Sequence, residues 1–174
     1  MDTGTASLGW ARMSFPGPPR LLAMGAKVLP PIKGEGLGQG LLRRLWLQGL
    51  GLPLDGVSAV VAEELVFSAK GITATAAASM CWGMLVGLCL ARNLPLYTVR
   101  PLAWQRAVLP GKGKVDQGAL GARLAAFVGK SPASLDLACV PHADRSHALD
   151  AVGIATYGAM RLRTLRRVSE TVSL

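Results

Sequence analysis

Residues Val57 to Phe67 have the sequence VSAVVAEELVF, in which Glu63 and Glu64 are the only charged residues. Such a β-branched, apolar run is typical of a central strand covered on both faces. Gly71 to Ala91 carry no charge and are long enough for a helix of about 31 Å. A second short strand is predicted at Leu94 to Val99. We therefore predict a strand, a crossover helix and a parallel strand.

The flanking sequence extends this unit into an α/β fold. Short apolar runs separated by turn residues, Leu8 to Met13 and Leu21 to Leu29, predict an antiparallel meander before the crossover. Further helices are predicted at Leu41 to Gly49, Pro101 to Leu109, Gln117 to Val128 and Asp144 to Arg167. The expected architecture is a mixed central β-sheet flanked by α-helices, in a single domain over residues 1–174.

The composition narrows the class of partner. The chain has 174 residues, with 19 Lys and Arg against 10 Asp and Glu, and a formal net charge of +9. This excess suits a polyanion, nucleic acid first and an anionic membrane surface second. With 51% hydrophobic and 17% charged residues, disorder is excluded for the bulk of the chain. The three cysteines lie in apolar segments, which argues against a disulfide scaffold or zinc site and favours a reducing cytosol; they are Cys81, Cys89 and Cys139.

A few acidic residues lie within or beside apolar segments, and these are the candidate catalytic or metal-binding residues. They are Asp2 near the first predicted strand, Glu63 and Glu64 in the central strand, and Asp150 in the last helix. Alternation along a strand points Glu63 and Glu64 to opposite faces, so only one is expected to be functional, and spacing does not choose between them. Carboxylates gathered in such surroundings repel one another and require a cation.

The last predicted helix carries Asp144, His147 and Asp150 at intervals of three, so neighbouring pairs share a face. Oxygen ligands with at most one imidazole favour Mg²⁺ or Mn²⁺ over zinc. Two such ions activate water on one side of a phosphodiester and stabilise the leaving oxygen on the other. Plainer interpretations remain open for each residue: a turn-capping Asp2, a packed or surface His147 and an ordinary ion pair at Asp150.

Four stretches, taken in order, resemble the RuvC family of Holliday junction resolvases, which has a ribonuclease H-like (retroviral integrase) fold. Asp2-Thr3-Gly4-Thr5 with Gly9-Trp10 resembles the family's opening Asp-Pro-Gly-Ser motif and the Gly-Tyr that follows it. Glu64-Leu65-Val66-Phe67-Ser68-Ala69-Lys70 resembles the second motif, and Gly83 has the spacing of a glycine in the next helix. His147-Ala148-Leu149-Asp150-Ala151 resembles the closing motif.

The resemblance implies an active site formed by Asp2, Glu64, His147 and Asp150 that binds two Mg²⁺ ions, for which Mn²⁺ can substitute. It selects Glu64 over Glu63. The implied activity is that of a homodimeric crossover junction endodeoxyribonuclease, which cuts four-way DNA junctions in recombination, repair or phage DNA processing, in the cytoplasm of a bacterium or phage-infected cell. The implied DNA contacts are Phe67, Lys70 and Arg106, which lies one residue from a lysine of the family. Where the family has another lysine this chain has Gln117, and Lys112 and Lys114 in the Gly-Lys-Gly-Lys turn are expected to supply that charge.

Three other interpretations are compatible with the sequence. The same fold could serve a branched-DNA or flap nuclease. It could also serve a nuclease-dead junction-binding protein, because only Met1 precedes Asp2 in a strand expected to anchor this aspartate. The uncharged segment Gly71 to Ala91 could instead be the span of a small membrane protein.

Overall fold

The structure is a computed structural model that describes residues 1–3, 7–14, 20–28, 51–65, 72–108, 117–127, 140 and 142–172. Within these ranges the strands are β1 (Asp2–Thr3), β2 (Ser7–Met13), β3 (Leu21–Val28), β4 (Val60–Glu63) and β5 (Leu96–Val99). The helices are α1 (Ile72–Ala91), α2 (Pro101–Val108), α3 (Gln117–Phe127) and α4 (Arg145–Val172), with a short 3-10 helix (His142–Asp144) before α4.

The strands pair in two groups. β1, β2 and β3 form an antiparallel sheet in that order, in which Asp2 lies opposite Gly9. β4 and β5 pair in parallel, from Val60 opposite Leu96 onward. The link between β4 and β5 is α1, so these three elements form the crossover that the apolar run and the uncharged helix predict.

Met1 joins the two groups of strands. Its terminal amino group donates a hydrogen bond to the Val61 carbonyl at 2.7 Å, and its carbonyl accepts one from the Glu63 N–H at 3.2 Å. Two bonds that flank Ala62 in this way have the pattern of a parallel ladder. The strands therefore follow the order β3, β2, β1, β4, β5, and the sheet is mixed, as the sequence predicts.

Helices cover both faces of the sheet, and alternation along each strand sends apolar side chains to both. One face packs against α2, α3 and α4, and its buried core includes Trp104, Leu120, Leu124, Val152 and Ile154. The opposite face packs against α1, and its core includes Val60, Ala62, Leu85, Leu88 and Cys89. The mixed α/β architecture expected from the sequence is confirmed.

The boundaries of several elements differ from those predicted. Of the predicted strand Val57 to Phe67, β4 covers Val60–Glu63. It begins later than predicted because the chain before it turns, with the Val57 N–H donating to the Leu54 carbonyl at 3.2 Å. Residues 66–67 lie outside the described residues. The last helix continues to Val172. The predicted helix Leu41 to Gly49 lies outside the described residues.

Two cysteines of α1 lie on its buried side. They are Cys81 and Cys89, which are buried and form no disulfide. Burial raises the pKa of the Cys81 thiol to about 11 and also raises the pKa of Cys89, because desolvation disfavours the thiolate. Both therefore act as small apolar packing residues. Cys139 lies outside the described residues.

Of the helices that the structure describes, α1 included, none is both long enough and apolar enough to cross a membrane.

Candidate active site

The first turns of α4 pass directly over the antiparallel part of the sheet. A β-carbon at Gly9 would collide with the backbone carbonyl of His147, so only glycine permits this approach. Gly9 lies opposite Asp2. The register therefore places Asp2 one strand away from the helical segment that carries His147 and Asp150.

Glu63 ends β4 on the face of the sheet that α4 covers. Two residues earlier, Val61 packs against α4 so closely that a β-carbon at Gly158 would lie 2.6 Å from its Cγ2. The Glu63 Oε1 atom accepts a hydrogen bond from the Trp104 Nε1 at 2.7 Å. Trp104 is 1% exposed and its ring rests on Gly153 of α4. Trp104 thereby links the end of β4 to the helix turn next to Asp150.

Glu64 is more open than Glu63. Its N–H donates to the Val99 carbonyl at 2.7 Å, which continues the β4–β5 ladder, and its side chain is 47% exposed. The Oε2 atom lies 3.4 Å from the Nε of Arg100, itself an exposed side chain. An exposed ion pair contributes about 0–1 kcal/mol. Little free energy therefore holds Glu64 to Arg100, and its carboxylate is available to a ligand.

His147 and Asp150 are half-buried in the first turns of α4. They are separated by three residues, which places them on neighbouring positions of one helix face. Asp144 lies in the 3-10 helix and directly precedes α4, the boundary at which aspartate is favoured as a cap. The last helix therefore begins one residue later than the predicted start at Asp144.

The structure brings the start of β1, the end of β4 and the start of α4 into one region of the molecule. The described side chains include Glu63, Glu64, His147 and Asp150 but not Asp2, and among them no three His, Cys, Asp or Glu residues form a group that could hold a metal ion. Carboxylate oxygens with one imidazole are a donor set that Mg²⁺ and Mn²⁺ accept.

The expected DNA contacts are described only in part. Arg106 is exposed in the last turn of α2. The other expected contacts lie outside the described residues; they are Phe67, Lys70, Lys112 and Lys114.

Arg100 and Trp104 were not predicted from the sequence as residues near the candidate site. Both residues follow β5, and the predicted parallel pairing of β4 and β5 could have indicated them. The carboxyl ends of parallel strands lie at the same edge of a sheet, so residues after β5 must lie near those that end β4. The predicted crossover could have directed attention to Arg100 as a neighbour of Glu64.

We expect Glu63→Ala to destabilise the protein by about 1–3 kcal/mol, because it leaves the buried Trp104 indole N–H without its acceptor. Glu63→Gln is the matched control: it retains a carbonyl acceptor of similar size and should cost less than about 1 kcal/mol. Urea unfolding monitored by tryptophan fluorescence measures both. Equal losses in the two variants would show that the hydrogen bond to Trp104 is not what Glu63 contributes.

Comparisons with known proteins give a fold-level match. No family model matches the chain, and no curated protein matches its sequence. RuvC of Thermus thermophilus in complex with a Holliday junction substrate superposes with a TM-score of 0.69 at 19% identity, over 94% of this chain and 92% of that one. A second Thermus thermophilus RuvC structure gives 0.65 at 20% identity, over 94% and 93%.

The architecture is thus a mixed α/β sheet of the ribonuclease H-like type. Within that type, the fold of this chain is the fold of RuvC, over nearly its whole length. The resemblance found in the sequence motifs is confirmed at the level of the fold.

Proposed function

We propose that this protein is a metal-dependent endonuclease that resolves four-way DNA junctions. The observation that carries the proposal is that the backbones of three distant segments meet: β1 pairs with β2 where the start of α4 lies on Gly9, and Met1 is bonded to Glu63 at the end of β4, next to Glu64. The RuvC fold supports the choice of substrate, because one of the matching structures holds a Holliday junction.

The proposed catalytic residues are Asp2, Glu64, His147 and Asp150. The three carboxylates would hold two Mg²⁺ ions, with Mn²⁺ as a substitute, and His147 adds one nitrogen donor. When bound, such ions supply a water of lowered pKa and charge stabilisation at the phosphate. The Glu64 side chain is 47% exposed, so it can meet a phosphodiester without displacing core residues.

Glu63 has a different proposed role. Its carboxylate is bonded to Trp104, whose ring rests on α4 beside Asp150. Glu63 therefore acts as a positioning residue that sets the distance between β4 and α4, whereas Glu64 acts at the phosphate.

Positive side chains near the acids fit an approach by DNA. Arg100 is 83% exposed and lies beside Glu64, so it can exchange this carboxylate for a DNA phosphate. Arg106 lies exposed two turns later in the chain. Such contacts hold DNA without selecting a sequence. Lys70, Lys112 and Lys114 are proposed to extend the same surface, and Phe67 to stack on junction bases.

A four-way junction has two-fold symmetry, so two paired cuts require two active sites related by a two-fold axis. We therefore propose a homodimer acting on DNA in the cytoplasm of a bacterium or a phage-infected cell. Light scattering after size-exclusion chromatography measures the assembly with and without junction DNA.

The proposal is tested by incubating purified protein with a labelled four-way junction and Mg²⁺. Symmetric nicks with 5′-phosphate and 3′-hydroxyl ends are expected, which DNA ligase can reseal, and EDTA should abolish them. Linear duplex of the same sequence is the matched control and should stay intact. Faster cutting of a flap substrate would favour a branched-DNA nuclease. Binding without cutting at any concentration of Mg²⁺ or Mn²⁺ would favour a junction-binding protein without nuclease activity.

A further inference from the structure

Helix α2 presents an exposed face next to Glu64. Its inner residue Trp104 is 1% exposed, whereas Leu102 is 62% exposed and Arg106 is exposed as well. Leu102 and Arg106 are four residues apart, so they lie on the same side of the helix. Directly before α2, the Arg100 Nε atom lies 3.4 Å from the Glu64 Oε2 atom. The outer face of α2 therefore begins beside the proposed catalytic carboxylate.

The backbone that carries Leu102 is fixed by its surroundings. The Arg100 carbonyl accepts a hydrogen bond from the Ala103 N–H at 3.0 Å, so α2 begins directly after β5. Two residues after Leu102, the buried Trp104 donates to the Glu63 carboxylate, and its ring rests on α4. A segment held in this way needs no rearrangement when it meets a ligand, which lowers the cost of binding.

Two arginines give the same face a positive charge. Arg100 and Arg106 flank Leu102 in sequence, and the Arg100 side chain is 83% exposed. A single exposed leucine is common on protein surfaces. Leu102 differs because guanidinium groups on both sides of it attract DNA phosphates. Charge complementarity therefore favours DNA as the partner of this face, and DNA that is bound there meets an apolar side chain.

The shape of the DNA decides how much free energy Leu102 contributes. Along a continuous duplex the outer surface consists of phosphate and sugar, and covering it with leucine gains little. Where helices separate at a branch point, the last base pair of each arm has an apolar face without a stacking partner. Covering that face removes apolar surface of both molecules from water, and leucine is among the side chains that proteins insert between base steps. Leu102 thus favours branched over linear DNA.

We infer that Leu102 is a specificity-determining residue that covers an unstacked base pair at the branch point, while Arg100 and Arg106 bind the phosphates beside it. The inference rests on the proposed function. It adds an apolar contact that is separate from the stacking proposed for Phe67. Because α2 begins beside Glu64, recognition of the branch and cleavage next to it use adjoining surfaces.

The test compares the affinity of the wild type and of Leu102→Ala for a four-way junction and for linear duplex of the same length. Ca²⁺ replaces Mg²⁺ to prevent cutting. We expect Leu102→Ala to weaken junction binding by roughly 5- to 20-fold, from the apolar area that an exposed leucine can bury, and duplex binding by less than about twofold. The salt dependence of the affinity should stay the same, because no charge is lost. A 2-aminopurine base at the branch point should show a smaller fluorescence change with the variant.

Three further variants are the controls. Leu22→Ala removes a leucine that is 61% exposed on β3, which β2 and β1 separate from β4, and it should bind both DNAs like the wild type. Leu102→Met keeps an apolar side chain and should restore most of the junction affinity. Arg100→Ala should weaken binding of both DNAs and lower the salt slope by about one.

Unchanged junction affinity in Leu102→Ala would overturn the inference, as would equal losses for junction and duplex or the same loss in Leu22→Ala. A wild-type protein that binds the junction no better than the duplex would contradict the proposed function, and the inference with it. The measurement is of binding, so it gives the same answer for a protein that binds junctions without cutting them.

Discussion

Replacing Glu64 with Gln is expected to lower the rate of junction cleavage by roughly 10²–10³-fold, the range for loss of one preorganised electrostatic group. The amide has nearly the same shape but lacks the anionic oxygens that hold a hard cation. The side chain is 47% exposed and its ion pair with Arg100 is on the surface. Junction affinity and Tm should therefore stay close to the wild-type values.

Single-turnover cleavage and gel-shift binding, with Mg²⁺ replaced by Ca²⁺ for the binding measurement, separate these effects. Asp150→Asn is expected to behave like Glu64→Gln. Glu63→Gln is the matched control on the neighbouring residue, and it should keep most of the cleavage activity. If Glu63→Gln is inactive while Glu64→Gln cuts normally, Glu63 rather than Glu64 is the carboxylate that acts at the phosphate.

Gly9→Ala is expected to destabilise the protein by about 3 kcal/mol, at the upper end of the cost of overpacking, because the new methyl group meets backbone rather than a movable side chain. For a chain of this length, that corresponds to a loss of roughly 6–12 °C in Tm. Relief of the collision requires α4 to move away from β2. Cleavage should fall as well, because His147 and Asp150 move with the helix.

Gly87→Ala is the control for the same change of residue type. Gly87 is exposed in α1, and a β-carbon there would meet nothing within 4 Å. Alanine should therefore stabilise the helix by about 0.5–1 kcal/mol. Thermal unfolding of both variants, with cleavage measured below both Tm values, makes the comparison. A Gly9→Ala protein as stable as the wild type would show that α4 does not lie in close contact with β2.

The sequence predicts most helices and strands well, because each of them is encoded by the residues within it. The uncharged run over α1 and the alternating strands β2 and β3 carry their own periodicity, so each element can be identified without knowing its neighbours. The order of the motifs around Asp2, Glu64 and Asp150 in the chain allows the RuvC fold to be predicted as well. The strand around Val60 is predicted too long because the turn before it depends on contacts that periodicity does not encode.

The site is predicted less completely because its arrangement is tertiary. Alternation shows that Glu63 and Glu64 point to opposite faces, but which face α4 covers depends on the whole fold. The bond from Trp104 to Glu63 joins residues 41 positions apart in sequence, and no spacing rule connects them. Gly9 stands within the opening motif, but its collision partner, His147, is known only from the packed structure.

Helix α4 approaches the sheet especially closely at two separated positions, with His147 above Gly9 and Gly158 above Val61. Eleven residues of helix span about 16 Å, so α4 spans both the antiparallel and the parallel part of the sheet and connects them. A small tilt about Gly158 would displace the helix start at His147. The position of His147 and Asp150 over β2 is therefore sensitive to how α4 packs on Val61, about 16 Å further along the helix.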